Sequence, residues 1–104
     1  MPSGLTLTLQ EILLEEQYDH SLWARFRYVA SGLADTPFDA IQDDFPALCA
    51  EQVLPWAGAE GLDLRQVVVS LASEPLEFGV SDPSVTQYFE AFRLEDGACI
   101  WEGL

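Results

Sequence analysis

In QYFEAFRLEDGACIWEGL, residues 87–104, the pair Asp96-Gly97 separates two short runs of alternating character. A two-residue hairpin turn needs positive φ at both central positions, and Asp followed by Gly tolerates it. The stretch therefore predicts a terminal hairpin whose register follows by counting: Glu95 opposite Ala98, Leu94 opposite Cys99, Arg93 opposite Ile100 and Phe92 opposite Trp101. Side chains alternate across a strand, so Phe92, Leu94, Cys99 and Trp101 share one apolar face, which a helix should cover.

That helix is predicted upstream. Residues 31–37, SGLADTP, break a preceding strand and offer Asp35 or Thr36 as an N-cap before Pro37. Phe38, Ile41, Phe45, Leu48 and Cys49 then recur at three- and four-residue steps and draw one apolar stripe, while Asp39, Asp43 and Ala50 point elsewhere. Pro46 lacks a backbone donor and disfavours helical geometry at Phe45, which predicts a kink or restart near Asp44. The second piece should reach Val53 or Leu54, ended by Pro55 and an AGAEG loop.

Cys49 on the stripe and Cys99 on the hairpin face point into the same interior. A disulfide and two separate buried thiols both fit this pattern, the thiols being the form expected in the cytosol. A zinc site would need more ligands than two cysteines and the single histidine supply. Without a Cys-x-x-Cys spacing, thioredoxin-like chemistry has no support.

Residues 5–16 fit two periods. Leu5, Leu7 and Leu9 alternate as in a strand, while Thr8 and Glu11 have capping-box spacing ahead of Ile12 and Leu13. A strand is favoured, because a polar turn at residues 18–21 leads into LWARFRYVA, rich in aromatic and branched residues. There Leu22, Ala24, Phe26 and Tyr28 lie on one face and Trp23, Arg25, Arg27 and Val29 on the other. Residues 64–72, with a continuous Val67–Val69 run, predict a buried strand, and Pro75 and Pro83 mark a loop after it. The resulting fold class is α+β in a single domain, residues 1–104. It consists of an N-terminal β-hairpin, a kinked helix and a three-stranded antiparallel sheet, with the helix packed on one sheet face.

An apolar fraction of 49% and an aromatic fraction of 12% supply a core and exclude a disordered acidic chain. Eighteen acids against four arginines and no lysine give a formal net charge of -14. Such a field repels nucleic acid and anionic lipid, so no direct nucleic-acid binding is expected. The acids spread from Glu11 to Glu102 and read first as a solvated surface, secondly as a face for a basic protein partner. No apolar run is long enough to span a bilayer, so no membrane insertion is expected, and the first four residues carry no signal core.

The candidates for chemistry each have a plainer reading. His20 beside Asp19 has the composition of an oriented general base, but no nucleophile accompanies it and a turn histidine is ordinarily just exposed. Asp39, Asp43 and Asp44 lack the spacing of a calcium loop and read as a solvated helix face. No catalytic residue, metal or cofactor is expected. The possible interaction residues are Trp23, Arg25, Arg27 and Trp56. The two arginines, flanked by Trp23 and Tyr28, could grip a carboxylate or phosphate over an aromatic ring. Their plainer role is pairing with Glu11, Glu15 or another strand's acids. Trp56, beside Pro55 in a predicted loop, is the tryptophan expected to mark an exposed interface.

The segments SLWARFRYVA, DDFPALC, VVVSLASEPLEFG and TQYFEAFRLEDGACIWEGL resemble a small uncharacterised bacterial family, mainly alphaproteobacterial, whose members are commonly exported. The resemblance covers most of the chain through packing, turn and cysteine positions. It implies that Cys49 and Cys99 are the family's paired cysteines and that a signal was removed ahead of Met1. A periplasmic or otherwise exported location follows, or a cytoplasmic one if the thiols are free. The expected function is a non-catalytic accessory or protein-binding domain. The alternative is an acidic inhibitor that mimics nucleic acid and blocks a basic nucleic-acid-binding partner. An enzyme ranks third.

Overall fold

The computed structural model describes residues 2–80 and 82–102. Met1, Ser81 within the predicted loop, and the last two residues of the hairpin stretch lie outside it. Five strands form a single sheet in chain order: β1 (Thr8–Glu16), β2 (Leu22–Val29), β3 (Leu64–Ala72), β4 (Gln87–Glu95) and β5 (Ala98–Glu102). All neighbours are antiparallel except β2 and β3, which run parallel. The predicted architecture is corrected here, since the N-terminal hairpin and the three C-terminal strands are one five-stranded mixed sheet. A parallel pair cannot be closed by a tight turn and needs a crossover of a dozen or more residues. Residues 30–63 are that crossover, and the helices lie in it.

The helical run is α1 (Phe38–Ile41), α2 (Asp44–Leu48), a π-helical turn (Cys49–Val53) and α3 (Leu54–Glu60). The restart falls at Asp44, as Pro46 predicted. Pro55, however, does not end the run. It sits in the first turn of α3, where a missing N–H costs little. The widened turn before it, in which the Leu54 N–H donates to Cys49 O, takes up the room its ring needs. The true stop is Gly61 at φ 65°, with the Leu62 N–H donating to Ala57 O at 2.9 Å. Neither Asp35 nor Thr36 caps α1: Pro37 holds the N-cap position, and the Thr36 hydroxyl donates back to Gly32 O at 2.9 Å.

The core lies between this run and one face of the sheet. Ile41, Phe45, Leu48, Cys49 and Val53 meet Ala24, Phe26 and Tyr28 of β2, Val67, Val69 and Leu71 of β3, and Phe92 of β4. The terminal hairpin has the register read from Asp96-Gly97, whose φ values are 53° and 74°. Cys49 and Cys99 are joined in a disulfide with Cα atoms 6.3 Å apart, tying the helical run to edge strand β5.

Strand β1 resolves the ambiguity of residues 5–16 in an unforeseen way. Leu9 pairs with Tyr28 and Glu11 with Arg27, so Gln10 is an extra bulged residue. Before it, Leu5 and Leu7 pack against the core; after it, Ile12 does. A switch of phase within a strand places Leu9 and Ile12 three residues apart on one face, the very spacing that mimics a helix.

Candidate functional site

The face of the sheet turned away from the helices carries Arg25 and Arg27 on β2, Val68 and Ser70 on β3, and Gln87 and Phe89 on β4. It is not left open. The described residues of the segment that joins β3 to β4, 73–80 and 82–86, fold back across it. The neck of this loop is closed by the Ser73 N–H donating to Thr86 O at 2.9 Å and the Thr86 N–H donating to Ser73 Oγ at 3.0 Å. Just beyond the neck, Leu76 O accepts from Arg27 Nη2 at 2.8 Å and from Nε2 of the bulged Gln10 at 2.7 Å. Gly79, at φ 87°, lets the chain turn between Phe78 and Val80. Asp82 accepts from both the N–H and the hydroxyl of Ser84, which holds its carboxyl below the usual range.

Between loop and sheet lies a cavity of about 340 Å³, lined by the six sheet residues named first together with Phe78, Gly79 and Val80. Its floor is the arginine pair. Arg25 Cζ lies 5.4 Å and Arg27 Cζ 5.6 Å from the Phe78 ring centroid, so one aromatic face covers both guanidinium groups. Arg27 is only 8% exposed and is ion-paired with Glu11, while Arg25 Nε donates to Glu15 Oε1 at 2.5 Å. These are the cross-strand pairings anticipated from the sequence. They make burial of Arg27 tolerable, because its charge is matched and hydrogen-bonded.

The other sequence candidates are dispersed. Trp23 shares the arginine face but lies towards its far end, near Tyr18 and Arg65. Trp56 is corrected from an exposed loop residue to a partly buried one in α3, packed edge-on against Phe26 at 5.3 Å on the opposite side of the sheet. Trp101 is half-exposed, its Nε1 donating to Glu90 Oε2 at 2.8 Å. His20, exposed and at φ 68°, faces Glu16 at 3.0 Å rather than Asp19. Asp19 instead accepts from the hydroxyl and N–H of Ser21, which lowers its pKa. Asp39 and Asp43 are exposed, but Asp44 is fully buried and accepts from Ser3 N at 2.8 Å and Ser3 Oγ at 2.5 Å. Its role is to tie down the N-terminal segment.

Sequence reasoning missed Phe78, Val80 and Phe89. Two signals were present: large apolar residues inside a Pro- and Gly-marked loop, and adjacent aromatics at Tyr88 and Phe89, which place one ring on each face of β4.

The chain has no match among curated proteins and none among solved structures. A model of a family of unknown function matches residues 1–104, the whole of the sequence, and the chain belongs to that family, DUF6497.

Proposed function

We propose that this chain is a non-catalytic accessory domain that binds another protein through the loop-covered sheet face, and that it works in an exported, oxidising compartment. The observation that carries the reading is the rim of the cavity. Phe78, Val80 and Phe89 are 54%, 47% and 48% exposed, side by side on one face of a chain otherwise rich in acids. Clustered exposure of large apolar side chains marks an interaction surface, whereas scattered exposure does not. The Cys49–Cys99 bond supports the location, since such bonds persist where thiols are not kept reduced. Bacterial origin and QYFEAFR and CIWE as recurring family stretches belong to the same proposal.

Photo-crosslinking in the producing cell tests it. A photoreactive residue at Phe78 or Phe89 should give one discrete protein adduct, and the same residue at Asp39, on the helical side, should give none. Equal labelling from both sides, or no adduct from either, overturns the reading. Alkylation followed by mass measurement tests the compartment: protein taken directly from cells should gain mass only after reduction.

A second reading has its own observation. Residues 33–63 expose Asp35, Asp39, Asp43, Glu51, Glu60 and Asp63 and contain no arginine, so the helical side is uniformly negative. An inhibitor that imitates nucleic acid would use that side. It would crosslink from Asp39 and not Phe78, to a basic protein whose binding collapses between low and moderate salt.

A further inference from the structure

All four arginines of the chain, Arg25, Arg27, Arg65 and Arg93, lie on strands β2, β3 and β4, and two of them floor the cavity. Arg27 is held from two sides, by Glu11 and by Leu76 O. Among the described residues, Arg25 is committed through Nε alone. Among the described residues, no acceptor engages its Nη1 and Nη2, which carry four further N–H groups. A guanidinium with a free fork is suited to a planar carboxylate, which it can grip through two parallel hydrogen bonds. Around it the walls are apolar, from Val68, Phe78, Val80 and Phe89, with Ser70 and Gln87 as neutral polar groups.

We propose that the cavity receives the C-terminus of a partner protein chain, with the free carboxylate on Arg25 and an apolar last side chain against Phe78 and Phe89. This rests on the reading of the sheet face as a protein-binding surface and names the chemistry it recognises. Three observations favour a chain end over other anions. The space, about 340 Å³, lies at the small end of ligand pockets and has room for one side chain with its carboxylate. The exposed rim leaves apolar surface that a small acid seated inside would not cover. The glutamate partners of both arginines disfavour a multiply charged group such as a phosphate. The helical acids do not compete for Arg25 directly, because they lie on the other side of the sheet with the apolar core between them and the cavity.

The test is a titration followed by the amide and aromatic resonances of the intact protein, with four probes: acetyl-Ala-Ala-Phe with a free carboxylate, its C-terminal amide, acetyl-Ala-Phe-Glu-Ala-amide, and hydrocinnamate. The free tripeptide should bind at least about 10-fold more tightly than its amide, as a charge-assisted bond predicts, and more tightly than the other two. Arg25→Gln should erase the difference between acid and amide, and Phe78→Ala should weaken both equally. Arg93→Gln, on the same face but outside the cavity, should change neither. A preference for the internal glutamate peptide, or hydrocinnamate binding as well as the tripeptide, overturns the chain-end proposal. So does saturation by none of the probes, or an acid preference that survives Arg25→Gln. A crosslinked partner from Phe78 combined with no carboxylate preference would sink this inference and leave the protein-binding reading standing.

Discussion

Tyr28 is 1% exposed, its ring in the core and its hydroxyl donating to Gln52 Oε1 at 2.7 Å. Burial disfavours the phenolate and pushes the pKa from 10 up to about 12. Below pH 10 the phenol is protonated folded or unfolded and has no effect. Between pH 10 and 12 the unfolded chain has released its proton while the folded chain keeps it, so stability falls as pH rises. The limiting slope is about 1.4 kcal/mol per pH unit. Tyr28→Phe should abolish this part of the decline, measured as the difference between variant and parent in denaturant midpoints across that window. An identical decline in both would refute the assignment. Tyr28 was legible as an inward residue, because alternation in LWARFRYVA places it with Phe26 and Ala24. Its partner Gln52 was not legible, because it lies on a helical turn whose widening depends on how the run meets Pro55.

Two elements depend on single residues. In β1, Gln10 both shifts the strand's phase and clamps the loop over the sheet. Deleting it forces either Leu5 and Leu7 or Ile12 away from the core, and should lower stability by about 2–4 kcal/mol. Gln10→Ala keeps the extra residue and should cost only about 1 kcal/mol, from the lost bond to Leu76. Chemical denaturation separates the two, and equal losses would deny the bulge its role. The disulfide closes a loop of 50 residues between the helical run and β5. In the chain-entropy model its removal by Cys49→Ala with Cys99→Ala costs about 4 kcal/mol. Calorimetry should show a correspondingly lower melting temperature, and an unchanged one would mean that packing alone holds the two elements together. The hairpin that carries Cys99 could be read residue by residue, since turn chemistry and strand alternation are local rules. The bulge could not, because an extra residue shows itself only against the strand it is paired with.

Across the whole molecule the charge is segregated, with arginines confined to the sheet and the outer side of the helices acidic. A net charge of -14 makes the folded state repel itself more than the expanded one does. Raising sodium chloride from about 20 mM to 500 mM shortens the screening length from roughly 20 Å to 4 Å and should raise the melting temperature by several degrees. A fall would show that the surface ion pairs, such as Arg93–Glu95 at 3.1 Å, outweigh the repulsion.

The local pieces are written in the chain: the terminal hairpin and its register, the inward faces of β2 and β4, the helical stripe and its restart at Asp44, and two sulfurs directed into one interior. Each follows from rules that act over a few residues, namely side-chain periodicity, turn conformation and the missing donor of proline. How the pieces join is settled by long-range pairing. Parallel pairing of β2 with β3 merges two expected units into one sheet, and the β3–β4 loop turns a flat face into an arginine-floored cavity. Those outcomes depend on which strand edges and which faces remain unsatisfied once the core has formed. That competition among distant segments leaves only faint traces in the chain, such as the double-sided apolar run at Val67–Val69 in the sheet's central strand and the stray rings of Phe78 and Phe89.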